Sequence, residues 1–175
     1  MMRYMKVTLV MATTADGKIA KDKAHVADWT SKEDKKFFVE KTKECKVMIM
    51  GMTTYQTIGR PLPGRLTMVY TRNPQAPALE QQPDVLEYTN LGPKELLAQL
   101  EKRGFTDVAL VGGGTINAMF LREKLIDDIY LSIEPYIFGA GLGVFSEAPA
   151  DVELNLVDVS KLSEQVVLLH YRIKR

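Results

Sequence analysis

The sequence has little of several features that would define a function class. Its only cysteine is Cys45, so an internal disulfide is excluded and a reducing compartment is predicted. The charges nearly cancel, with 23 Lys and Arg against 22 Asp and Glu, which leaves no basic field for general nucleic-acid binding. The apolar stretch Met5 to Thr14 is shorter than the ~20 residues of a membrane span. We therefore expect a cytoplasmic protein that binds neither nucleic acid nor membrane.

Metal-binding residues are equally scarce. The chain has 2 histidines, His25 and His170, and neither has a ligand partner at metal-site spacing, so we predict no metal site. Cys45 has no paired histidine motif and is interpreted as a core residue. At ~150 residues per domain, the length favours one domain spanning residues 1–175.

Short apolar runs alternate with helical segments over the first three quarters of the chain and then follow one another directly. The predicted strands are Lys6 to Ala12, Val47 to Met50, Leu66 to Thr71, Val85 to Tyr88, Val108 to Val111, Ile129 to Glu134, Leu154 to Val159 and Val166 to Ile173. The predicted helices begin at Ser31, Thr53, Pro93 and about Thr115, and the second of them is predicted to stop at Gly59. This order predicts an α/β fold with a mostly parallel sheet, an antiparallel C-terminal edge and helices on both faces.

Small and polar residues follow several of the predicted strands, where open α/β sheets bind their ligands. Gly112 to Gly114 precede a helix, so their N–H groups could face a diphosphate, although a plain tight turn has the same composition. Thr53 and Thr54 offer hydroxyls after the second strand. Arg72 follows the third strand and suits a 2′-phosphate, or is a solvated surface charge. Together these strand ends indicate a bound dinucleotide.

Asp34 is the candidate acid. It lies in the first turn of the predicted helix, three residues before Phe37, which we expect to face the core. One interpretation is a carboxylate that stabilises the helix N-terminus. The other is a partly buried acid with a raised pKa, which would bind a heterocycle and help to protonate a substrate nitrogen.

The sequence resembles two families that share one fold. VMIMGMTTYQTIGRPLPGRLTMVYTR (residues 47–72) and VALVGGGTINAMFL (residues 108–121) resemble the central and second cofactor-binding segments of dihydrofolate reductases. MATTADGKIA (residues 11–20) and IEPYIFGAGLGVF (residues 133–145) are similar to the reductase domain of the riboflavin-biosynthesis deaminase-reductases (RibD). The resemblance implies a three-layer fold of about eight strands and about four helices, and NADPH as cofactor.

The resemblance also assigns roles to individual residues. Asp34 is the implied catalytic acid, with Trp29 five residues before it. The implied substrate-binding residues are Lys18, Trp29, Phe38 and Arg65, of which Arg65 matches the position that binds the glutamate carboxylate of folates. The implied cofactor-binding residues are Ala12, Ile19, Gly51, Thr53, Thr54, Thr71, Arg72, Gly113, Gly114 and Thr115.

Three functions remain open from the sequence. The first is hydride transfer from NADPH to a ribosylamino-pyrimidine, as in the 5-amino-6-(5-phosphoribosylamino)uracil reductases of riboflavin biosynthesis. The second is reduction of dihydrofolate, and the third is nucleotide binding without catalysis. The riboflavin-type relatives imply a homodimer, and the last predicted strand, Val166 to Ile173, is apolar on both faces and is the candidate interface. The polar loop from Thr14 to His25 is predicted to be a mobile lid.

Overall fold

The structure is a computed structural model that describes residues 5–146 and 151–175. The strands are β1 (Lys6–Thr14), β2 (Lys18–Ala20), β3 (Val47–Gly51), β4 (Leu66–Tyr70), β5 (Leu86–Thr89), β6 (Asp107–Leu110), β7 (Asp128–Glu134), β8 (Leu142–Gly143), β9 (Leu154–Lys161) and β10 (Val167–Ile173). The helices are α1 (Lys32–Glu44), α2 (Met52–Ile58), α3 (Pro93–Lys102) and α4 (Gly114–Arg122).

Eight strands form one sheet in the order β5-β4-β3-β6-β1-β7-β10-β9. Neighbours from β5 to β7 are parallel, whereas β10 runs antiparallel to both β7 and β9. The sheet therefore has the predicted mostly parallel arrangement with an antiparallel C-terminal edge. Because these six parallel strands end on the same side, the residues that follow them share one edge of the sheet.

The helices cover both faces of the sheet because each strand alternates its apolar side chains between them. On one face, Val47 and Ile49 belong to a core cluster that includes residues of α3 and α4. On the other, Met48 and Met50 pack with α1 and α2. This is the predicted three-layer α/β fold. No helix of the described residues has the length and hydrophobicity to cross a membrane.

Two predicted helix boundaries follow from their local chemistry. Ser31 caps α1, and its side chain accepts a hydrogen bond of 3.1 Å from the N–H of Asp34. Gly59 ends α2 in the left-handed conformation with φ of 79°, which glycine adopts without steric cost. Both agree with the sequence-based boundaries.

Two features of the sheets were not predicted. Strands β2 and β8 pair as a separate two-stranded sheet and were missed because they are only 3 and 2 residues long. The last strand, β10, lies between β7 and β9 and is therefore not an edge of the sheet. The exposed edge belongs to β9, whose residues are all solvent-exposed.

Candidate active site

A cavity of about 500 Å³ opens at the carboxyl ends of β1, β3 and β6. Its sides are formed by the first turns of α1, α2 and α4, and Ala20 of β2 and Leu142 of β8 also line it. This is where parallel α/β sheets bind their ligands, and the volume suits a small organic molecule.

Most of the residues predicted from the sequence meet in this cavity. Ala12 lies at its sheet side, and Trp29 and Phe38 supply aromatic surface near α1. The remaining predicted residues that line it are Ile19, Asp34, Gly51, Thr53, Thr54, Gly113, Gly114 and Thr115. Residues from six separate segments of the chain are therefore brought together as the sequence predicts.

Three predicted residues lie beside the cavity and do not line it. Lys18 precedes Ile19 in β2, and its N–H donates to Thr14 Oγ1 at 2.9 Å. Thr71 and Arg72 follow β4, the neighbour of β3, so they lie farther along the same edge of the sheet. The N–H of Thr71 donates to the carbonyl of Thr89 at 2.9 Å, and the side chain of Arg72 is exposed.

Arg65 is also outside the lining. It is only 6% exposed, and its Nη1 donates to the main-chain carbonyl of Val39 in α1 at 2.6 Å. Burial lowers the pKa of its guanidinium, and Nε has no partner among the described residues. The structure thus directs Arg65 towards α1, whereas the sequence predicted a contact with a substrate carboxylate.

Asp34 is the acid of the cavity. It is 7% exposed and lies on the first turn of α1. Burial raises the pKa of its carboxyl, since a charge is costly away from water, and the nearby carboxylate of Glu134 raises it further. Hydrogen bonds from the side chains of Ser132 and Thr30 oppose this shift. The result is a side chain suited to hold a proton and to hydrogen-bond a polar heterocycle.

Glycines let protein segments pack closely together on the other side of the cavity. The N–H of Gly51 donates to the carbonyl of Gly112 at 2.8 Å, which joins the ends of β3 and β6. A Cβ on Gly51 would lie 3.0 Å from Ile116, and one on Gly114 would lie 2.4 Å from Ser146 Oγ. No side chain of the described residues caps α4 at Gly113. The exposed N–H groups of α4 therefore form a cradle for an anionic group.

The roof of the cavity was only partly predicted. Within the predicted lid, Lys18–Ala20 pairs with Leu142–Gly143. Asp16 Oδ2 accepts a hydrogen bond from the N–H of Gly139 at 2.8 Å, so the two segments are joined at a second point. Leu142 and Ser146 line the cavity but were missed, because no periodic pattern marks so short a strand.

The other side chains considered as candidate reactive groups are Cys45, His25 and His170. Burial raises the pKa of the Cys45 thiol to about 11, as for an unreactive core cysteine. His25 is part of the cavity rim and packs edge-on against Phe138. His170 hydrogen-bonds Asp128 at the opposite end of β7. Among residues 5–146 and 151–175, no group of three or more acidic, histidine or cysteine side chains is placed to hold a metal.

Comparison with known proteins agrees with this geometry. The sequence model of the dihydrofolate reductase family matches residues 6–134. Dihydrofolate reductase type 3 of Salmonella typhimurium is 30% identical over 128 residues, which are 73% of this chain and 71% of that protein.

Solved structures share the fold at lower identity. A deaminase/5-amino-6-(5-phosphoribosylamino)uracil reductase of Thermotoga maritima superposes with a TM-score of 0.82 at 20% identity, over 98% of this chain and 57% of that one. Dihydrofolate reductase of Enterococcus faecalis, solved with NADP(H), superposes with a TM-score of 0.70 at 24% identity, over 97% of both chains. The match of the family model to most of the chain shows that this protein belongs to the dihydrofolate reductase family.

Proposed function

We propose that the protein is an NADPH-dependent reductase that transfers hydride to a C=N carbon of a pyrimidine or pterin. The observation that carries this proposal is the buried acid Asp34, which lines the same cavity as the glycine cradle at α4. Bound NADPH supplies the hydride. Asp34 would anchor the heterocycle and hold the proton that the substrate nitrogen requires.

The cradle fits a dinucleotide. Gly113, Gly114 and Thr115 would bind the diphosphate through main-chain N–H groups at the start of α4, which no side chain of the described residues caps. Thr53 and Thr54 line the same wall, and Ala12 and Ile19 would contact the nicotinamide ring. Thr71 and Arg72 lie farther along the sheet edge, where they would bind a 2′-phosphate.

Among substrates, a ribosylamino-pyrimidine of the riboflavin type is favoured over dihydrofolate. The orientation of Arg65 supports this choice, since its guanidinium is buried against Val39 and does not line the cavity where a folate tail would need it. Lys18, next to Ile19, is the proposed additional contact with the pyrimidine substrate. Dihydrofolate is the second candidate because the family model matches residues 6–134.

The assay is a direct comparison of substrates. Oxidation of NADPH is followed by its absorbance with 5-amino-6-(5-phosphoribosylamino)uracil and, separately, with dihydrofolate, using Asp34→Asn as a control. A higher kcat/KM for the pyrimidine supports the proposal, whereas a higher value for dihydrofolate assigns the second candidate. Tight NADPH binding without NADPH oxidation in the presence of either substrate would indicate a nucleotide-binding protein without catalysis.

We propose further that the chain forms a homodimer through β9. This edge strand exposes Leu156 (57%) and Val159 (54%), and no strand of the described residues pairs with its outer side, which could therefore extend the sheet. Two copies can pair antiparallel about a two-fold axis, because the same strand then supplies both sides. Sedimentation velocity tests this directly: Leu156→Lys should convert a dimer to a monomer, and a wild-type monomer at high concentration would contradict the proposal.

A further inference from the structure

Glu134 is a buried acid that the proposed reaction does not use directly. It is the last residue of β7, is 2% exposed and does not line the cavity. No lysine or arginine of the described residues forms an ion pair with it. Burying a carboxyl group without a cation is unfavourable, so a neutral residue at this position would be less costly to the fold.

The hydrogen bonds of Glu134 lead to the first turn of α1. Its Oε1 accepts from the N–H of Ser31 at 3.0 Å and from Ser31 Oγ at 2.7 Å. Ser31 Oγ in turn accepts from the N–H of Asp34 at 3.1 Å. Because the hydroxyl proton of Ser31 is donated to Glu134, its lone pairs are turned towards Asp34. Glu134 therefore fixes the rotamer of the residue that caps α1.

The charges around Asp34 come from several elements. Glu134 reaches it from β7 and Lys35 from its own helix, while Ser132 and Thr30 contribute uncharged hydrogen bonds. The part of β1 that lines the cavity, Val10 to Ala12, carries no titratable group. The titratable groups at the rim are Asp22, Lys23 and His25. Lys35 is exposed, so Glu134 is the buried acid among these neighbours.

We propose that Glu134 is a positioning residue for Asp34, which it orients through Ser31 and near which it places a second buried carboxyl group. The inference rests on the proposed function only in assigning a use to the proton of Asp34. In the reduction, hydride adds to the C=N carbon and the C=N π electrons take up a proton at nitrogen. Asp34 supplies this proton, is left as the carboxylate and is reprotonated from solvent.

The test measures Asp34 itself, in the protein without substrate. The carboxyl groups are labelled with ¹³C and titrated by NMR, and the Asp34 signal is assigned by its loss in Asp34→Asn. In Glu134→Gln, which keeps the shape and removes the charge, the pKa of Asp34 should fall. Above the pKa, each unit of that fall removes about tenfold of the protonated acid. The alkaline limb of the pH profile for kcat should move to lower pH by the same amount, with KM nearly unchanged.

Glu87→Gln is the matched control, because Glu87 is a carboxylate on β5 that pairs with Arg103 far from the cavity. It should lower stability without moving the Asp34 titration. A folded Glu134→Gln protein with the wild-type Asp34 titration overturns the proposal. The NMR titration does not depend on the identity of the substrate, so a failed reductase assay leaves this result intact.

Discussion

Arg65 Nη1 donates a hydrogen bond of 2.6 Å to the main-chain carbonyl of Val39, in the middle of α1. The guanidinium is buried, with no carboxylate partner among the described residues. Since burying an unpaired cation is costly, Arg65→Met should change the free energy of unfolding by less than about 1 kcal/mol, or raise it. Urea denaturation measures this. A loss above about 3 kcal/mol would show that the hydrogen bond to α1 holds the helix in place.

Asp34→Asn should reduce kcat at least about 10²-fold, the effect typical of a lost acid or base. NADPH affinity should change little, because the glycine cradle is on the opposite wall of the cavity. Stopped-flow measurement of hydride transfer gives the rate, and Glu33→Gln, an exposed neighbour on α1, is the matched control. Near-normal turnover of Asp34→Asn would remove the catalytic role of this residue.

Arg72→Ala should weaken NADPH binding by about tenfold or more and leave NADH binding nearly unchanged, since only NADPH carries the 2′-phosphate. Quenching of Trp29, the single tryptophan and a lining residue of the cavity, reports both affinities. Arg103→Ala, which removes an arginine paired with Asp84 and Glu87, should affect neither cofactor. Equal losses for both cofactors in Arg72→Ala would contradict the assignment.

Gly114→Ala should damage both folding and cofactor binding. The added Cβ would lie 2.4 Å from Ser146 Oγ and 2.8 Å from the carbonyl of Gly143, so α4 or the roof must move. Overpacking of this kind costs about 1–3 kcal/mol of unfolding free energy. Gly92→Ala is the control, since its Cβ meets no atom within 4 Å. Wild-type NADPH affinity in Gly114→Ala would show that the cradle does not bind the diphosphate.

Asp128 should make the stability of the fold fall in acid. Burial alone would raise the pKa of its carboxyl, but hydrogen bonds from Lys6 and His170 and the charge of Arg172 hold it below the usual value. A lowered pKa stabilises the folded state above the pKa of the unfolded chain, and this contribution is lost as pH falls through the folded pKa. Asp128→Asn should therefore lose about 2–3 kcal/mol at neutral pH, and this loss should shrink in acid as pH falls through the lowered pKa of the folded state. An equal stability difference between Asp128→Asn and wild type at neutral and acidic pH, measured by urea denaturation, would contradict this.

The sequence predicts the large sheet and its helices well because each strand and helix carries its own periodic pattern. Val47–Gly51 and Leu66–Tyr70 are buried on both faces and appear in the sequence as unbroken apolar runs. Ser31 and Gly59 mark helix ends by local chemistry alone. The burial of Asp34 follows from its spacing to Phe37, which packs against a core cluster.

Other features depend on contacts between distant residues and leave no local signal. The pairing of Lys18–Ala20 with Leu142–Gly143 joins segments more than a hundred residues apart. Arg65 belongs to a recognisable PLPGR motif, but its orientation is set by packing under α1. Glu134 is a charged residue type at a strand end, which by itself indicates a surface position. Only the folded structure, with its hydrogen bond from Ser31, shows that it is buried.

The position of β1 in the sheet has a consequence for biosynthesis. Val7 pairs with Val108 of β6, and Thr8 pairs with Asp128 of β7. During translation, β1 therefore exposes both hydrogen-bonding edges until β6 and β7 have been made. The floor of the cavity is assembled by closing two long loops, which slows folding relative to chains with local contacts. Newly made chains should therefore depend on chaperones that bind apolar β-strands until β7 has left the ribosome.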